Sequence, residues 1–77
     1  MPKQFPTVTN RKRASTANGA LRKFQMLAGM KSGAQTQAEI LTDFLGNVRH
    51  WCDLNDVDYA ACDRNAYLHY TEEKAEG

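Results

Sequence analysis

Two histidines and two cysteines carry the side chains best suited to bind a metal ion, namely His50, Cys52, Cys62 and His69. Structural zinc takes four such ligands in a tetrahedron, usually supplied as C-x2-C or H-x3-H pairs, and neither pair occurs in this sequence. His50 and Cys52 lie two residues apart, which on a helix places them about 200° apart around the axis, so they cannot face one ion. We therefore expect neither a metal nor a cofactor.

The same residues supply the one candidate for nucleophilic catalysis, a cysteine activated by His69. Such a site also needs an orienting group and a pocket that excludes water, for which a chain of 77 residues has little room. The scattered glycines match no phosphate-binding loop. We expect a protein that is not an enzyme, with Cys52 and Cys62 as free thiols and Cys52 packed as a small apolar residue.

Charge is strongly segregated along the chain. Residues 1–38 contain seven Lys and Arg and no acid, whereas residues 39–77 contain all nine acids and three bases, so a net charge of +1 conceals halves of +7 and −6. A run of bases without acids attracts phosphate groups by releasing counterions. The residues predicted to contact nucleic acid or an acidic partner are Arg11, Lys12, Arg13, Arg22 and Lys23.

The elements that would position these residues are helical. Residues 1–14 contain both prolines and no apolar periodicity, which predicts a flexible basic arm. Leu21, Phe24 and Leu27 recur at helical spacing and predict a first helix over about residues 17–30, stopped by Gly29 and Gly33.

A second helix is predicted over about residues 37–54, because Thr36 and Glu39 form a capping box and apolar residues follow at spacings of three and four. Asp58 is a natural N-cap for a third helix over about residues 59–73. The short connection between these two helices predicts that they pair, as antiparallel or sharply crossed neighbours, with the first helix more loosely attached.

The predicted fold is therefore all-α: a small helical hairpin or three-helix domain over residues 15–77, preceded by the arm. No stretch is apolar enough to span a membrane and the N-terminus has no apolar signal segment, so we expect no membrane partner and a cytoplasmic protein. A core of this size supplies little stability, and a homodimer would add to it.

Aromatic residues suggest a second kind of contact surface. Trp51 and Tyr59 flank the turn between the second and third helices and are expected to pack there. Tyr67 lies off the apolar face of the third helix and, with Arg64, is predicted to contact a protein partner, because interfaces are enriched in tyrosine and arginine.

A resemblance to a known group of proteins rests on three segments: Leu41 to Asp53 (LTDFLGNVRHWCD), Asp58-Tyr59 and His69-Tyr70. This pattern resembles that of short uncharacterised proteins encoded on bacterial plasmids, prophages and other mobile elements, and it covers about residues 38–73. The resemblance implies a helical fold and a mobile-element setting. It implies no activity for any residue.

Three functions fit these observations. The first is a non-enzymatic accessory protein of phage or mobile-element type that acts by binding a protein of the host or of the element. The second is a nucleic-acid-associated accessory protein that binds phosphates through residues 1–31. The third is an acidic hairpin that mimics nucleic acid and blocks a defence protein.

Overall fold

The computed structural model describes residues 7–31 and 33–76, and this part of the chain forms three α-helices and no strand. They are α1 (Val8–Leu27), α2 (Gln37–Leu54) and α3 (Tyr59–Glu76). The all-α prediction is confirmed. No helix within the described ranges is long and apolar enough to cross a membrane.

Helix α2 begins and ends where the sequence predicts. The hydroxyl of Thr36 accepts from the backbone amide of Glu39 at 3.1 Å, and the Glu39 carboxylate accepts from the amide of Thr36 at 3.0 Å. The backbone bond from Thr36, and then the bond with its side chain, lower the pKa of Glu39 from its ordinary value. The reciprocal cap thus favours the charged carboxylate at the start of α2.

Replacing Thr36 with alanine is expected to lower the free energy of unfolding by about 1 kcal/mol, because the backbone amide of Glu39 loses the hydroxyl that accepts its hydrogen bond. Thr42→Ala is the matched control, since the Thr42 hydroxyl bonds the carbonyl of Ala38 inside α2 and caps nothing. Urea unfolding followed by circular dichroism measures both. Equal losses for the two threonine variants would contradict the capping argument.

The capping box also makes stability depend on pH. Because the folded pKa of Glu39 is lowered, the stabilisation by its carboxylate is present above the unfolded pKa and is lost as pH falls through the folded pKa. Glu39→Gln should abolish that dependence.

The turn into α3 repeats a motif that also ends α1. After α1, Gly29 has φ +71° and the amide of Met30 donates to the carbonyl of Gln25 at 2.9 Å. After α2, Asp56 takes the same left-handed position with φ +55°, and the amide of Val57 donates to the carbonyl of Cys52 at 2.9 Å. Both are Schellman-type endings, in which a left-handed residue lets the chain leave the helix with its last carbonyls bonded.

Helix α3 begins as predicted, because the Asp58 carboxylate accepts from the amide of Ala61 at 3.1 Å. It continues to Glu76, three residues beyond the predicted end.

Helix α1 differs most from the sequence prediction. It begins at Val8 rather than near residue 17, so Arg11, Lys12 and Arg13 are helical and do not belong to an arm without regular structure. The Thr7 hydroxyl caps the helix by accepting from the amide of Asn10 at 3.1 Å. The first half of α1 is polar, so it lacks the apolar periodicity that identifies helices in a sequence. Residues 1–6 of the predicted arm lie outside the described part of the chain.

The most extensive interhelical contact joins α1 to α2, not α2 to α3 as the sequence predicts. The rings of Phe24 and Phe44 meet edge to face with centroids 5.2 Å apart. The side chains buried within the described residues are Ile40 and Cys52, both on α2. This core is small, and it lies along α2 rather than between α2 and α3.

Helix α3 touches the other two helices near its ends. At its start, the guanidinium of Arg49 lies 4.3 Å from the centroid of the Tyr59 ring. At its end, Glu73 contacts α1. Trp51 is 57% exposed, so the expectation that it packs in the turn is wrong, because α3 diverges from α2 after this point. The radius of gyration of 14.6 Å exceeds the roughly 11.5 Å of a compact chain of this length.

Candidate functional site

Four of the five predicted anion-binding residues share one side of α1. Arg11 and Lys12 are followed eleven residues later by Arg22 and Lys23. Eleven residues make three helical turns, so the two pairs lie in line, about 16 Å apart along the axis. All four side chains are exposed. We call these four residues the basic face of α1.

The basic face lies opposite the side of α1 that packs on α2. Leu21 and Phe24 are half-buried on that packed side, and at 100° per residue the four bases project away from it. Helix α1 contains five bases and no acid, so the positive charge of the face is not offset by acidic residues of its own helix. Arg22 is held at the edge of the face, because its guanidinium donates to the side-chain oxygen of Gln37 at 2.6 Å.

Arg13 has a different place from the other four bases. Its Nε lies 2.8 Å from a carboxylate oxygen of Glu73, and its Nη1 donates to the side-chain oxygen of Asn10 at 2.7 Å. Asn10 in turn donates to the backbone carbonyl of Glu73 at 3.2 Å. Arg13 therefore joins α1 to the end of α3, and the structure does not bring it into the basic face.

The predicted protein-contact residues lie on α3, and no other helix of the described part of the chain covers them. Arg64 and Tyr67 are exposed, Tyr67 by 65%, and Leu68 beside them by 53%. The Tyr67 and Tyr70 rings stand 6.3 Å apart, tilted by 36°. Sequence reasoning missed a second exposed apolar pair at the end of α2, where Trp51 and Leu54 are 57% and 86% exposed. Their spacing of three was visible in the sequence, but a position on the edge of an apolar stripe does not reveal whether another helix covers it.

The histidines and cysteines are not gathered into one site. Cys52 is 4% exposed, as expected for a cysteine packed as an apolar residue, whereas Cys62 is exposed on α3. Across residues 7–31 and 33–76, no three His, Cys, Asp or Glu residues stand close enough together to hold a metal ion.

Three of the acidic residues bond within the chain. Glu39 completes the cap of α2, Asp58 caps α3 and Glu73 pairs with Arg13. An acidic surface that mimics nucleic acid would need its carboxylates free and arrayed together, so this arrangement gives that hypothesis no added weight.

The site that emerges is a surface and not a pocket: an exposed basic face on α1, and exposed aromatic and apolar residues on α3 and at the end of α2. Such an arrangement suits contact with a large partner. The resemblance to mobile-element proteins rests on the residue pattern alone, because no protein-family model, no curated protein and no solved structure matches the chain.

Proposed function

We propose that this chain is a small, non-catalytic accessory protein that binds the phosphate backbone of nucleic acid through the basic face of α1. The observation that carries the proposal is the alignment of Arg11-Lys12 with Arg22-Lys23 on one exposed side of a helix that has no acid. The sequence alone ranks a protein partner first. The extension of α1 to Val8 changes that order, because it turns separate basic segments into one surface.

The proposed binding is largely independent of sequence. Lysine and arginine on one side of a helix neutralise phosphates and release condensed counterions, which orients a protein on nucleic acid without reading bases. Helix α3 has four acids and two bases, so it is repelled from a phosphate backbone and leaves α1 as the contacting element. Its negative charge also orients the molecule, with α1 towards the nucleic acid.

Fluorescence anisotropy with a labelled DNA duplex of random sequence, and with a single-stranded RNA of equal length, tests this function. Four phosphate contacts give a slope of log affinity against log salt of about −3.6, so raising salt from about 50 mM to about 200 mM weakens duplex binding by roughly 150-fold. Binding to neither probe at low salt, or affinity that does not change with salt, would contradict the proposal.

A protein partner that binds α3 is the second candidate, favoured by the exposure of Arg64, Tyr67 and Leu68 on consecutive turns. Tyrosine and arginine often dominate binding energy when a partner covers them. The setting would be the phage or mobile element suggested by the residue pattern, with a host or element-encoded protein as the partner.

Tyr67→Ala is expected to weaken such a complex by at least tenfold, because truncating a central interface tyrosine commonly costs about 2 kcal/mol. Asn65→Ala, two positions away on a different side of α3, is the control. The measurement is calorimetric titration with a purified protein that was first captured from the host and then shown to bind directly. Equal affinity of the two variants for that protein would remove Tyr67 from the interface.

A further inference from the structure

Among residues 7–31 and 33–76, no helix packs over the middle parts of α1 and α3. Every residue from 11 to 20 and every residue from 62 to 70 is exposed. Each stretch is more than two turns long, and the contacts that the described residues make with it lie near its ends, from α2 and Glu73 to α1 and from Arg49 and Arg13 to α3. A helix of this length is marginal in water unless one side is covered.

The area left uncovered matches what a stable dimer buries. The chain exposes 6680 Å², whereas a compact monomer of its mass exposes about 4,700 Å². The difference is about 2,000 Å² per chain. Over two chains this excess is about 4,000 Å², which lies within the roughly 2,000 to 5,000 Å² that obligate homodimers bury over both partners, so a second copy suffices to cover it.

Each of the two helices has one side free for close packing. On α1, Ala14 and Ala17 lie between Asn10, which contacts α3, and Leu21, which faces α2. On α3, Cys62 and Ala66 share a side with Tyr70, which is 55% exposed. Small side chains at the centre of each side allow two helix axes to approach to about 8 Å.

Charge determines which helix can lie against which. Helix α1 has five bases and no acid, and α3 has four acids and two bases. Two copies of α1 side by side would repel, whereas α1 of one copy and α3 of the other attract. The ion pair between Arg13 and Glu73 within one chain shows that these two helices already use this attraction.

We infer that the chain forms a twofold homodimer in which the centre of α1 of each copy, at Ala14 and Ala17, packs on the centre of α3 of the other, at Cys62 and Ala66. A twofold axis makes this contact twice, so both unpacked stretches of both chains are covered. The basic face lies on the other side of α1 and stays free, and the dimer therefore presents two such faces.

Sedimentation velocity of nucleic-acid-free protein, from micromolar to millimolar concentration, tests the dimer independently of any nucleic-acid binding. The wild-type chain is expected at twice the 8.7 kDa mass of one chain. Ala17→Glu and Ala66→Lys each place a charge in both contacts and should raise the dissociation constant at least tenfold. Both positions are exposed within the chain, so helicity should be unchanged.

The double variant A17E/A66K identifies the pairing. If α1 packs on α3 of the other copy, glutamate meets lysine in both contacts and the dimer returns. If like helices pair, glutamate meets glutamate and the variant stays dissociated. Ser15→Glu and Asn65→Lys, on other sides of the same helices, are the controls and should leave the dimer intact. A wild-type chain that is monomeric throughout, single variants that still dimerise, or a double variant that stays dissociated would each overturn the inference.

Discussion

Replacing Ile40 with alanine is expected to lower the free energy of unfolding by about 2–4 kcal/mol, the largest stability effect of any substitution considered for this chain. Ile40 is 3% exposed and lies in the first turn of α2, next to the capping box. Removing its buried methyl groups loses their transfer free energy and leaves a cavity. A domain of this size has about 3–5 kcal/mol in total, so the variant should be largely unfolded at 37 °C.

Leu41→Ala is the matched control for Ile40→Ala. Leu41 follows Ile40 on the same helix but is 44% exposed, so its truncation should cost less than about 1 kcal/mol. Urea unfolding at one fixed protein concentration compares the two, because a dimer makes apparent stability depend on concentration. If the two variants lost equal stability, the core would not be centred on Ile40.

Removing three charges from the basic face is expected to abolish most of the salt dependence of nucleic-acid binding. With Arg11, Lys12 and Lys23 changed to glutamine, about one phosphate contact remains, and the slope of log affinity against log salt falls from about −3.6 to about −0.9. Raising salt fourfold then weakens binding by about 3.5-fold instead of about 150-fold. Arg22 is kept because its bond to Gln37 joins α1 to the start of α2.

A second triple variant separates the position of the charges from their number. Changing Arg49, Arg64 and Lys74 to glutamine also removes all three bases of the acidic half, so both variants go from a net charge of +1 to −2. These three residues lie on α2 and α3, away from the basic face. The second variant should keep a slope near −3.6. If both variants lost the same salt dependence, net charge and not the basic face would govern binding.

Where the chain contains a strong local signal, the sequence predicts the structure well. The capping box at Thr36 and Glu39 and the aspartate cap at Asp58 depend on bonds between residues three apart, so they can be identified without the tertiary structure. The start of α2 and the start of α3 follow from them. The stop after α1 is also local, because glycine at position 29 reaches the left-handed region without steric cost.

The remaining differences come from interactions over long sequence distances. The first half of α1 carries no apolar stripe, and in the described part of the chain its contact with α3 is made by the polar side chains of Asn10 and Arg13 with Glu73, some sixty residues away. The exposure of Trp51 depends on the direction in which α3 leaves Asp56. Neither the partner of a polar helix nor the angle after a turn can be deduced from periodicity.

The residues of the candidate site could be predicted from the sequence, but their arrangement could not. The individual bases were identifiable from charge alone, but their grouping required the helix to continue without interruption from Arg11 to Lys23. That continuity also separates Arg13 from the others, since one further residue turns its side chain by about 100° towards α3. The exposure of Tyr67 was predictable from its position off the apolar face of α3, whereas its use by a partner stays a prediction.

The contact between Asn10, Arg13 and Glu73 also bears on the order in which the molecule comes apart. It closes a loop of about sixty residues, and the loss of chain entropy on closing that loop opposes the contact. The exposed ion pair contributes only about 1 kcal/mol or less to stability. We therefore expect this end of α3 to open before the aromatic contact between Phe24 and Phe44 is lost. In hydrogen exchange of the monomer, we expect the amides of α3 to form the fastest cooperative unit and those around Ile40 the slowest, so that unfolding begins at the last helix.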